Sequence, residues 1–288
     1  MKRLVLLLFL SLCFSGVVCA QRRPAARVKY GSNASAGNTF VHDGVRLYYE
    51  VYGTGEPLLV VHGNGGSIAD LSAQIAYFRM RYRVIAMDSR DQGRSADSDS
   101  KITYEKMTDD LAALLDHLKV GPVNVLGWSD GGIEALLLGI RHPTKVKKIA
   151  AMAANLTPGE DALEPEIIGL IKQMVSETPA NPERRRELKV TSMMLSEPNI
   201  DFKQMETIKA PTLVLAADHD AIRVKHTVEI YLHIPNSQLV IFPGATHMIP
   251  FDDPVLFNVT VERFLRTPFR KVEMLNDTVK SLEKMRLA

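Results

Sequence analysis

The order of apolar segments along the chain predicts an α/β fold with a mainly parallel sheet. Short, uniformly apolar runs, typical of strands buried on both faces, alternate with longer segments of helical periodicity. Eight strands are expected, and right-handed crossovers between parallel strands place helices on both faces of the sheet. With 288 residues and 46% hydrophobic content, the chain is long enough to bury one large core without disulfides or a structural metal.

The first twenty residues have the pattern of a secretory signal peptide. Two basic residues precede an apolar run at 4–10, and the segment ends in Val18-Cys19-Ala20, a small-residue cleavage pattern. We expect cleavage after Ala20 and an exported protein, periplasmic or extracellular, without a stable membrane span. An uncleaved anchor and a lipid-modified Cys19 are the alternatives, although the apolar run is short for a span and Val18 is bulky.

Cleavage at this position affects both charge and thiol chemistry. It would remove both cysteines of the chain, Cys13 and Cys19, so disulfides and cysteine catalysis are not expected. It would also remove Lys2 and Arg3, so the formal net charge falls from +2 to zero. A neutral balance gives no reason to expect nucleic acid or an anionic membrane as a partner, and no protein partner is indicated.

Residues 21–39 mix Arg, Pro, Gly, Ser and Ala without periodicity and are expected to form a flexible linker. The folded domain is expected to span 40–288. It begins with a hairpin, in which Phe40-Val41 and Val45–Tyr52 flank an Asp43-Gly44 turn. The next strand, Pro57–Val61, is uniformly apolar.

The alternation continues to about residue 265. The remaining strands are expected at 82–87, 123–126, 146–152, 211–216 and 238–242, and the helices at 68–78, 104–118, 133–140, 226–233 and 254–265. Between about 157 and 208 two helical segments, 165–176 and 182–194, occur without a strand, which predicts a small helical cap. A further amphipathic helix at about 271–287 is expected to pack on the domain.

A strand-to-helix turn in the middle of the chain presents a candidate nucleophile. The segment Gly127-Trp128-Ser129-Asp130-Gly131 lies between an apolar strand and a helix. In the G-x-S-x-G pattern the glycines allow a sharp turn that holds the central serine in strained dihedrals with its side chain exposed. Such a cluster alone is more often an ordinary loop, so the surroundings of the motif decide the interpretation.

From Phe40 to about Leu265 the chain resembles the serine α/β-hydrolases. Four motifs occur in the order of that family, each at a strand end: His62-Gly63-Asn64-Gly65, the loop 88–95, the Ser129 turn, and two later loops that carry Asp220 and His247. The resemblance implies that His247 is the base and Asp220 the orienting acid, with Asp218 as the rival acid.

The same resemblance implies an oxyanion hole made by the backbone N–H groups of Asn64 and Asp130. No metal and no organic cofactor is implied, because His62 has no second ligand at metal-binding spacing and the family uses this His-Gly pair structurally. The implied activity is a secreted, carboxylesterase-like serine hydrolase that cleaves a small-molecule ester through an acyl-enzyme.

The nucleophile segment is also similar to that of α-amino-acid ester hydrolases of the valacyclovir-hydrolase type. A carboxylate beside the nucleophile would favour a cationic substrate group, so Trp128 and Asp130 are candidate substrate-binding residues. The alternative is that the Asp130 side chain points away from the substrate and is either solvated or paired with a neighbour.

Other activities remain open at this stage. The same triad supports C–C bond hydrolysis, lactone opening and perhydrolysis, and the cap and pocket decide among them. A ligand-binding, receptor-like role is a third possibility, which the signal peptide disfavours.

Overall fold

Eight strands form one sheet in the computed structural model, which describes residues 28–98, 100–182 and 184–287. The strands are β1 (Gly37–His42), β2 (Val45–Tyr52), β3 (Glu56–Val61), β4 (Tyr82–Met87), β5 (Val123–Trp128), β6 (Val146–Met152), β7 (Thr212–His219) and β8 (Ser237–Thr246). Their order across the sheet is β1-β2-β4-β3-β5-β6-β7-β8. The pairs β1–β2 and β2–β4 are antiparallel and all other neighbours are parallel. The predicted α/β class with a mainly parallel eight-stranded sheet is confirmed.

Helices cover both faces of the sheet. They are α1 (Ser72–Phe78), α2 (Tyr104–His117), α3 (Asp130–Arg141), α4 (Pro165–Glu177), α5 (Arg185–Met193), α6 (Phe202–Met205), α7 (Val224–His233), α8 (Ile249–Asp252), α9 (Pro254–Arg266) and α10 (Met274–Leu287), with a 3₁₀ turn at Pro143–Lys145. Side chains of α2, α3 and α7 enter one hydrophobic cluster, and those of α1 and α9 enter another.

The strands explain why two clusters form. Successive side chains of a strand point to opposite faces, and in β3 Leu59 and Val61 join the first cluster whereas Leu58 and Val60 join the second. All four side chains are at most 1% exposed. A uniformly apolar strand is therefore buried on both faces, as the sequence pattern indicated.

The helices α4, α5 and α6 lie between β6 and β7 and form the cap, in the region where the sequence predicted it. Helix α5 begins at Arg185, three residues after the predicted start. Helix α1 also begins later than expected, at Ser72, because residues 67–71 form turns in which Ser67 N–H donates to the Asp70 carboxylate at 2.7 Å. Among the described residues, no helix has both the length and the apolar character that crossing a membrane requires.

The linker prediction for 21–39 is wrong for its second half, and residues 1–27, with the predicted signal peptide, lie outside the described residues. The carboxylate of Glu50 is fully buried and accepts N–H bonds from Gly31 at 2.8 Å and Asn33 at 2.9 Å. Strand β1 then begins at Gly37. A buried carboxylate needs donors, and this segment supplies them, which holds it on the domain.

The expectation that the C-terminal helix packs on the domain is also wrong. The apolar side chains of α10 and of the residues before it are exposed. Their exposed fractions run from 44% to 80% at Val272, Met274, Leu275, Val279, Leu282 and Met285. Helical periodicity identifies an apolar face but does not say which surface covers it.

Candidate active site

Loops that follow β3, β5, β7 and β8 meet at the carboxyl edge of the sheet. Strand β3 pairs with β4 on one side and β5 on the other, so the chain reverses its direction across the sheet here. Loops on the two sides of such a reversal diverge, and open α/β sheets bind ligands in the resulting crevice. The predicted site residues Asn64, Ser129, Asp220 and His247 all lie on these loops.

The backbone of Ser129 is strained in the way the motif predicts. Its dihedrals are φ 57° and ψ −120°, between the end of β5 and the start of α3. Such backbone conformations cost about 1–3 kcal/mol each and persist only where the surroundings enforce them. Glycine is required on both sides: a Cβ on Gly127 would lie 1.9 Å from the Gly131 oxygen, and one on Gly131 would lie 2.3 Å from the Val61 oxygen.

Ser129, His247 and Asp220 form one hydrogen-bonded chain. The distance from Ser129 Oγ to His247 Nε2 is 3.1 Å, and that from His247 Nδ1 to Asp220 Oδ1 is 2.6 Å. The Asp220 side chain is fully buried and the His247 side chain is 21% exposed. A buried carboxylate on Nδ1 favours the tautomer in which Nε2 accepts the serine proton.

The two candidate acids have different environments. Asp220 Oδ2 also accepts the N–H of Ala217 at 3.0 Å, which fixes the orientation of its carboxylate. Asp218 is exposed, and its oxygens accept the N–H groups of Gly244 and Ala245 at 2.8 and 3.0 Å. These bonds hold the pKa of Asp218 below its usual value. Asp218 therefore supports the loop before His247 and does not contact the imidazole.

Trp128, which the sequence predicted as a substrate-binding residue, lies beside the histidine loop and is not among the described residues that line the cavity next to Ser129. Its indole N–H donates to the His247 carbonyl at 2.9 Å. The ring packs against that of His247, with centroids 5.3 Å apart, and against Phe251 at 4.7 Å. The Trp128 side chain thus contacts both the backbone and the ring of His247 and stabilises the position of that loop.

The backbone N–H groups of Asn64 and Asp130 lie on the loops expected to form an oxyanion hole. Within the described part of the chain, neither of these N–H groups donates a hydrogen bond. Asp130 is the first residue of α3, where N–H groups have no partner inside the helix and the helix dipole favours negative charge. Both groups are thus available to a ligand oxygen.

The side chain of Asp130 is buried and paired, which was the alternative left open by the sequence. It is 4% exposed, and its two oxygens accept Asn64 Nδ2–H at 2.9 Å and the Tyr104 hydroxyl at 2.8 Å. Burial raises the pKa of Asp130, and these two hydrogen bonds act in the opposite direction. Tyr104 is itself 1% exposed, and burial beside Asp130 raises its pKa well above 10.

Glu134 lies one helical turn after Asp130 and is 1% exposed. Its Oε2 atom has no hydrogen-bond partner among the described residues. Burial and the nearby Asp130 raise the pKa of Glu134 well above its usual value. Burial at this position therefore favours the neutral acid over the carboxylate.

His62 has a structural role. Its Nε2 accepts the N–H of Ser89 at 3.0 Å, so Nδ1 carries the proton and donates to the Gly63 carbonyl at 2.8 Å. The imidazole thereby ties the loop after β3 to the loop after β4. Among the residues that the structure describes, no cluster of three or more His, Cys, Asp or Glu side chains could hold a metal ion.

A cavity of 370 Å³ lies between the cap and Ser129. Its walls are mostly aliphatic, with polar groups at Ser129, His247, Asp130, Tyr104, Asn155 and Glu197. The aliphatic lining consists of Leu163, Ile167, Leu170, Ile171, Met194, Ala221, Ile222 and Met248. Most of it comes from the cap, so the cap determines which apolar group fits.

The cap is fixed to the domain near this cavity. Glu197 on the cap forms an ion pair with Lys101 on the loop before α2, with 3.1 Å between Nζ and Oε1. Lys189 of α5 pairs with Asp91 at 3.1 Å. Arg186 donates to the Asp91 carbonyl at 3.0 Å. The contacts with Asp91 therefore hold α5 against the loop that follows β4.

The chain has the α/β-hydrolase fold, and the proteins it resembles are hydrolases of that superfamily. A family model described as alpha/beta hydrolase fold matches residues 56–191. The resemblance to this superfamily and to its valacyclovir-hydrolase type, which the sequence indicated, is confirmed.

Relatives extend the match over most of the chain. The human serine hydrolase BPHL is 27% identical over 280 residues, which cover 90% of this chain and 95% of that protein. The 3-oxoadipate enol-lactonase 2 of Acinetobacter baylyi is 24% identical and covers 80% of this chain and 96% of its own. A solved hydrolase structure from Pseudomonas aeruginosa PA01 aligns with a TM-score of 0.68 at 25% identity, covering 82% of this chain and 100% of that chain.

Sequence reasoning missed the residues that surround the site from other segments. Tyr104 was assigned only to a helix, yet its hydroxyl bonds Asp130. Val190 and Glu197 were assigned only to the cap, yet the Val190 carbonyl accepts a bond from Asn64. No spacing rule connects such distant positions, so no signal in the single sequence could have paired them.

Proposed function

We propose that the protein hydrolyses small carboxylic esters through an acyl-enzyme formed on Ser129. The observation that carries this proposal is the chain of hydrogen bonds from Ser129 Oγ to His247 and on to Asp220. A serine hydroxyl is a weak nucleophile near neutral pH, and an oriented imidazole overcomes this by accepting its proton during attack.

The acylation step follows from the geometry. Ser129 Oγ attacks the acyl carbonyl as its proton passes to His247 Nε2, and the carbonyl oxygen becomes an oxyanion. The N–H groups of Asn64 and Asp130 stabilise that oxyanion, and Asp220 stabilises the imidazolium. His247 then donates the proton to the leaving alkoxide, and the C–O bond breaks.

Deacylation repeats the sequence with water. His247 accepts a proton from water, the hydroxide attacks the acyl-serine, and the acid is released as Ser129 regains its proton. The cavity of 370 Å³ suits an acyl group of modest size.

Charge narrows the substrate class. Asp130 and Glu197 are the acidic residues of the cavity lining, both already paired with neighbours, and apart from His247 none of the described lining residues is basic. Neutral or amine-bearing esters are therefore favoured over anionic ones. The similarity to the valacyclovir-hydrolase type supports the amine-bearing esters within this class.

Lactone opening is the second candidate. It is favoured by the similarity to the enol-lactonase of Acinetobacter baylyi. A lactone is an internal ester, so the same acylation and deacylation steps apply, and only the shape of the cavity distinguishes the two substrates.

An ester panel with two serine variants tests the proposal. We expect turnover of p-nitrophenyl acetate and butyrate by the wild type and a fall of about 10⁵-fold in kcat for Ser129→Ala. Ser281→Ala removes a hydroxyl from an exposed position of α10 and should leave kcat unchanged. Unchanged turnover in Ser129→Ala would contradict the mechanism.

The same panel tests the substrate class. It compares a valine ester with the 3-methylbutanoate ester of the same alcohol, and both with a simple lactone. A higher kcat/KM for the valine ester supports a preference for amines, and equal values would remove it. A higher kcat/KM for the lactone would favour the second candidate.

We also propose that the protein is exported after cleavage at Ala20. The support is the order of basic, apolar and small residues in 1–20. Mass spectrometry of the mature protein should give Gln21 as its first residue. A mature chain that retains Met1, or one that begins at a lipid-modified Cys19, would contradict this proposal.

A further inference from the structure

We infer that the side chains of Asn64 and Asp130 hold the oxyanion hole in its working geometry and connect it to cap helix α5. This inference rests on the proposed function, because it concerns the same site. It assigns a positioning role to two side chains whose backbone N–H groups were the only parts implicated so far. The cap then acts on the reacting atoms as well as on the shape of the cavity.

The first observation is that the two oxyanion residues are bonded to each other through their side chains. Asn64 Nδ2 donates to Asp130 Oδ2 at 2.9 Å. Asn64 lies on the loop after β3 and Asp130 on the turn after β5, so this bond joins the two loops that supply the N–H groups. Asn64 belongs to no helix or strand, and its backbone position depends on such contacts.

The second observation is that both amide hydrogens of Asn64 are used. The second one goes to the Val190 carbonyl at 3.1 Å. Val190 lies in the last turn of α5, where carbonyls lack partners inside the helix. The N–H of Met194, which would bond Val190 if the helix continued, donates to Thr191 at 3.2 Å instead. The Asn64 side chain therefore satisfies an unpaired carbonyl of the cap.

The third observation is that Asp130 is held from its other side as well. Its Oδ1 accepts the Tyr104 hydroxyl at 2.8 Å, and both side chains are at most 4% exposed. Hydrogen bonds to a carboxylate are stronger than those between neutral groups, and a buried carboxylate that loses a partner is costly. The carboxylate is thus a fixed anchor for Asn64.

The consequence appears in the transition state. The N–H groups of Asn64 and Asp130 gain a strong acceptor only when the carbonyl oxygen becomes an oxyanion, so their exact placement affects kcat more than substrate binding. Loss of the side-chain bridge leaves both donors in place but lets one loop shift relative to the other. The expected penalty is smaller than the 10²- to 10³-fold typical of removing an oxyanion donor.

The test uses Asn64→Ala, which keeps the backbone N–H. We expect kcat for p-nitrophenyl butyrate to fall about 10- to 100-fold while KM changes less than about threefold. The inhibition constant of a phenylboronic acid, which forms a tetrahedral adduct on the serine, should rise by the same factor as kcat falls. Asn236→Ala is the matched control. The Asn236 amide donates to the Lys209 carbonyl at 3.1 Å just before the first residue of β8, whereas the active site lies where the strands end.

Asp130→Ala breaks the same bridge from the other end, since it removes the acceptor of the Asn64 amide and keeps the backbone N–H of residue 130. If Asn64 and Asp130 act as one unit, kcat of the double variant Asn64→Ala/Asp130→Ala falls by no more than about twice the factor of the worse single variant. If the two residues acted independently, the factors by which the single variants lower kcat would multiply in the double variant. Should Asn64→Ala fail to fold, Tyr104→Phe removes one hydroxyl only and should lower kcat about fivefold with KM unchanged.

The outcomes separate this inference from the proposed function. An active wild type together with Asn64→Ala and Tyr104→Phe variants that keep kcat within about twofold would overturn the inference and leave the function standing. A folded wild type that neither hydrolyses esters nor binds boronic acid would overturn the proposed function, and the inference with it.

Discussion

Replacing Asp220 by Asn tests which carboxylate orients the imidazole. Asp220 Oδ1 is 2.6 Å from His247 Nδ1, and the side chain is fully buried. The Asn amide can direct its oxygen to the Ala217 N–H and its NH₂ to His247, which selects the tautomer that cannot accept the serine proton. In the opposite orientation, the imidazolium still loses the negative charge of its partner. We expect kcat to fall about 10⁴-fold, or about 5.4 kcal/mol in activation free energy.

Asp218→Asn is the matched control, two residues away. Asp218 is exposed, and within the described part of the chain its side chain accepts hydrogen bonds only from N–H groups of the loop before His247, so kcat should fall less than about tenfold. The assay is steady-state hydrolysis of p-nitrophenyl butyrate, with thermal unfolding measured in parallel to confirm folding. A loss in Asp218→Asn that equals or exceeds the loss in Asp220→Asn would refute the assignment.

Three further variants test the fold around the site. Gly127→Ala should destabilise the protein by more than about 3 kcal/mol in urea unfolding, because its Cβ would lie 1.9 Å from the Gly131 oxygen; near-wild-type stability would contradict the tight turn. Burial raises the pKa of Glu134 in the folded state. Its contribution to the free energy of unfolding is therefore fully present below the pKa that it has in the unfolded chain, and is lost as the pH rises toward the pKa of the folded state. Glu134→Gln should therefore gain stability relative to wild type as the pH rises from the unfolded-state pKa toward the raised folded-state pKa, by about 1.4 kcal/mol for each tenfold change in the ionisation constant, and a pH-independent difference would contradict a raised pKa at this position. Arg90→Met should cost about 3–5 kcal/mol of unfolding free energy, because it leaves the buried Asp110 without its two 2.6 Å bonds, whereas a cost below about 1 kcal/mol would show that the pair is not buried.

The elements that carry strong local signals could be predicted from the sequence. Strand β3 is uniformly apolar because both of its faces are buried, and the turn at Ser129 is specified by glycines that no other residue could replace. The loops after β5, β7 and β8 carry Ser129, Asp220 and His247 in the order in which the sequence motifs occur along the chain. These features depend on residues close in sequence, so a single sequence contains them.

Contacts between distant segments could not be predicted. The bonds of Asp130 to Asn64 and Tyr104 join three loops, and periodicity does not report which loops meet. The exposed face of α10 and the packing of residues 28–36 on Glu50 were mispredicted for the same reason. The composition of 21–39 indicated a flexible linker, whereas hydrogen bonds from residues 31 and 33 to one buried carboxylate hold this part of the chain on the domain.

Labelling with a fluorophosphonate, followed by peptide mass spectrometry, tests the central claim most directly. Such reagents form a covalent bond only with a serine that an adjacent base activates. We predict one phosphonyl adduct, on the peptide that contains Ser129, and its loss in a folded His247→Ala variant. An adduct on another residue, or labelling of His247→Ala at the wild-type rate, would contradict the account.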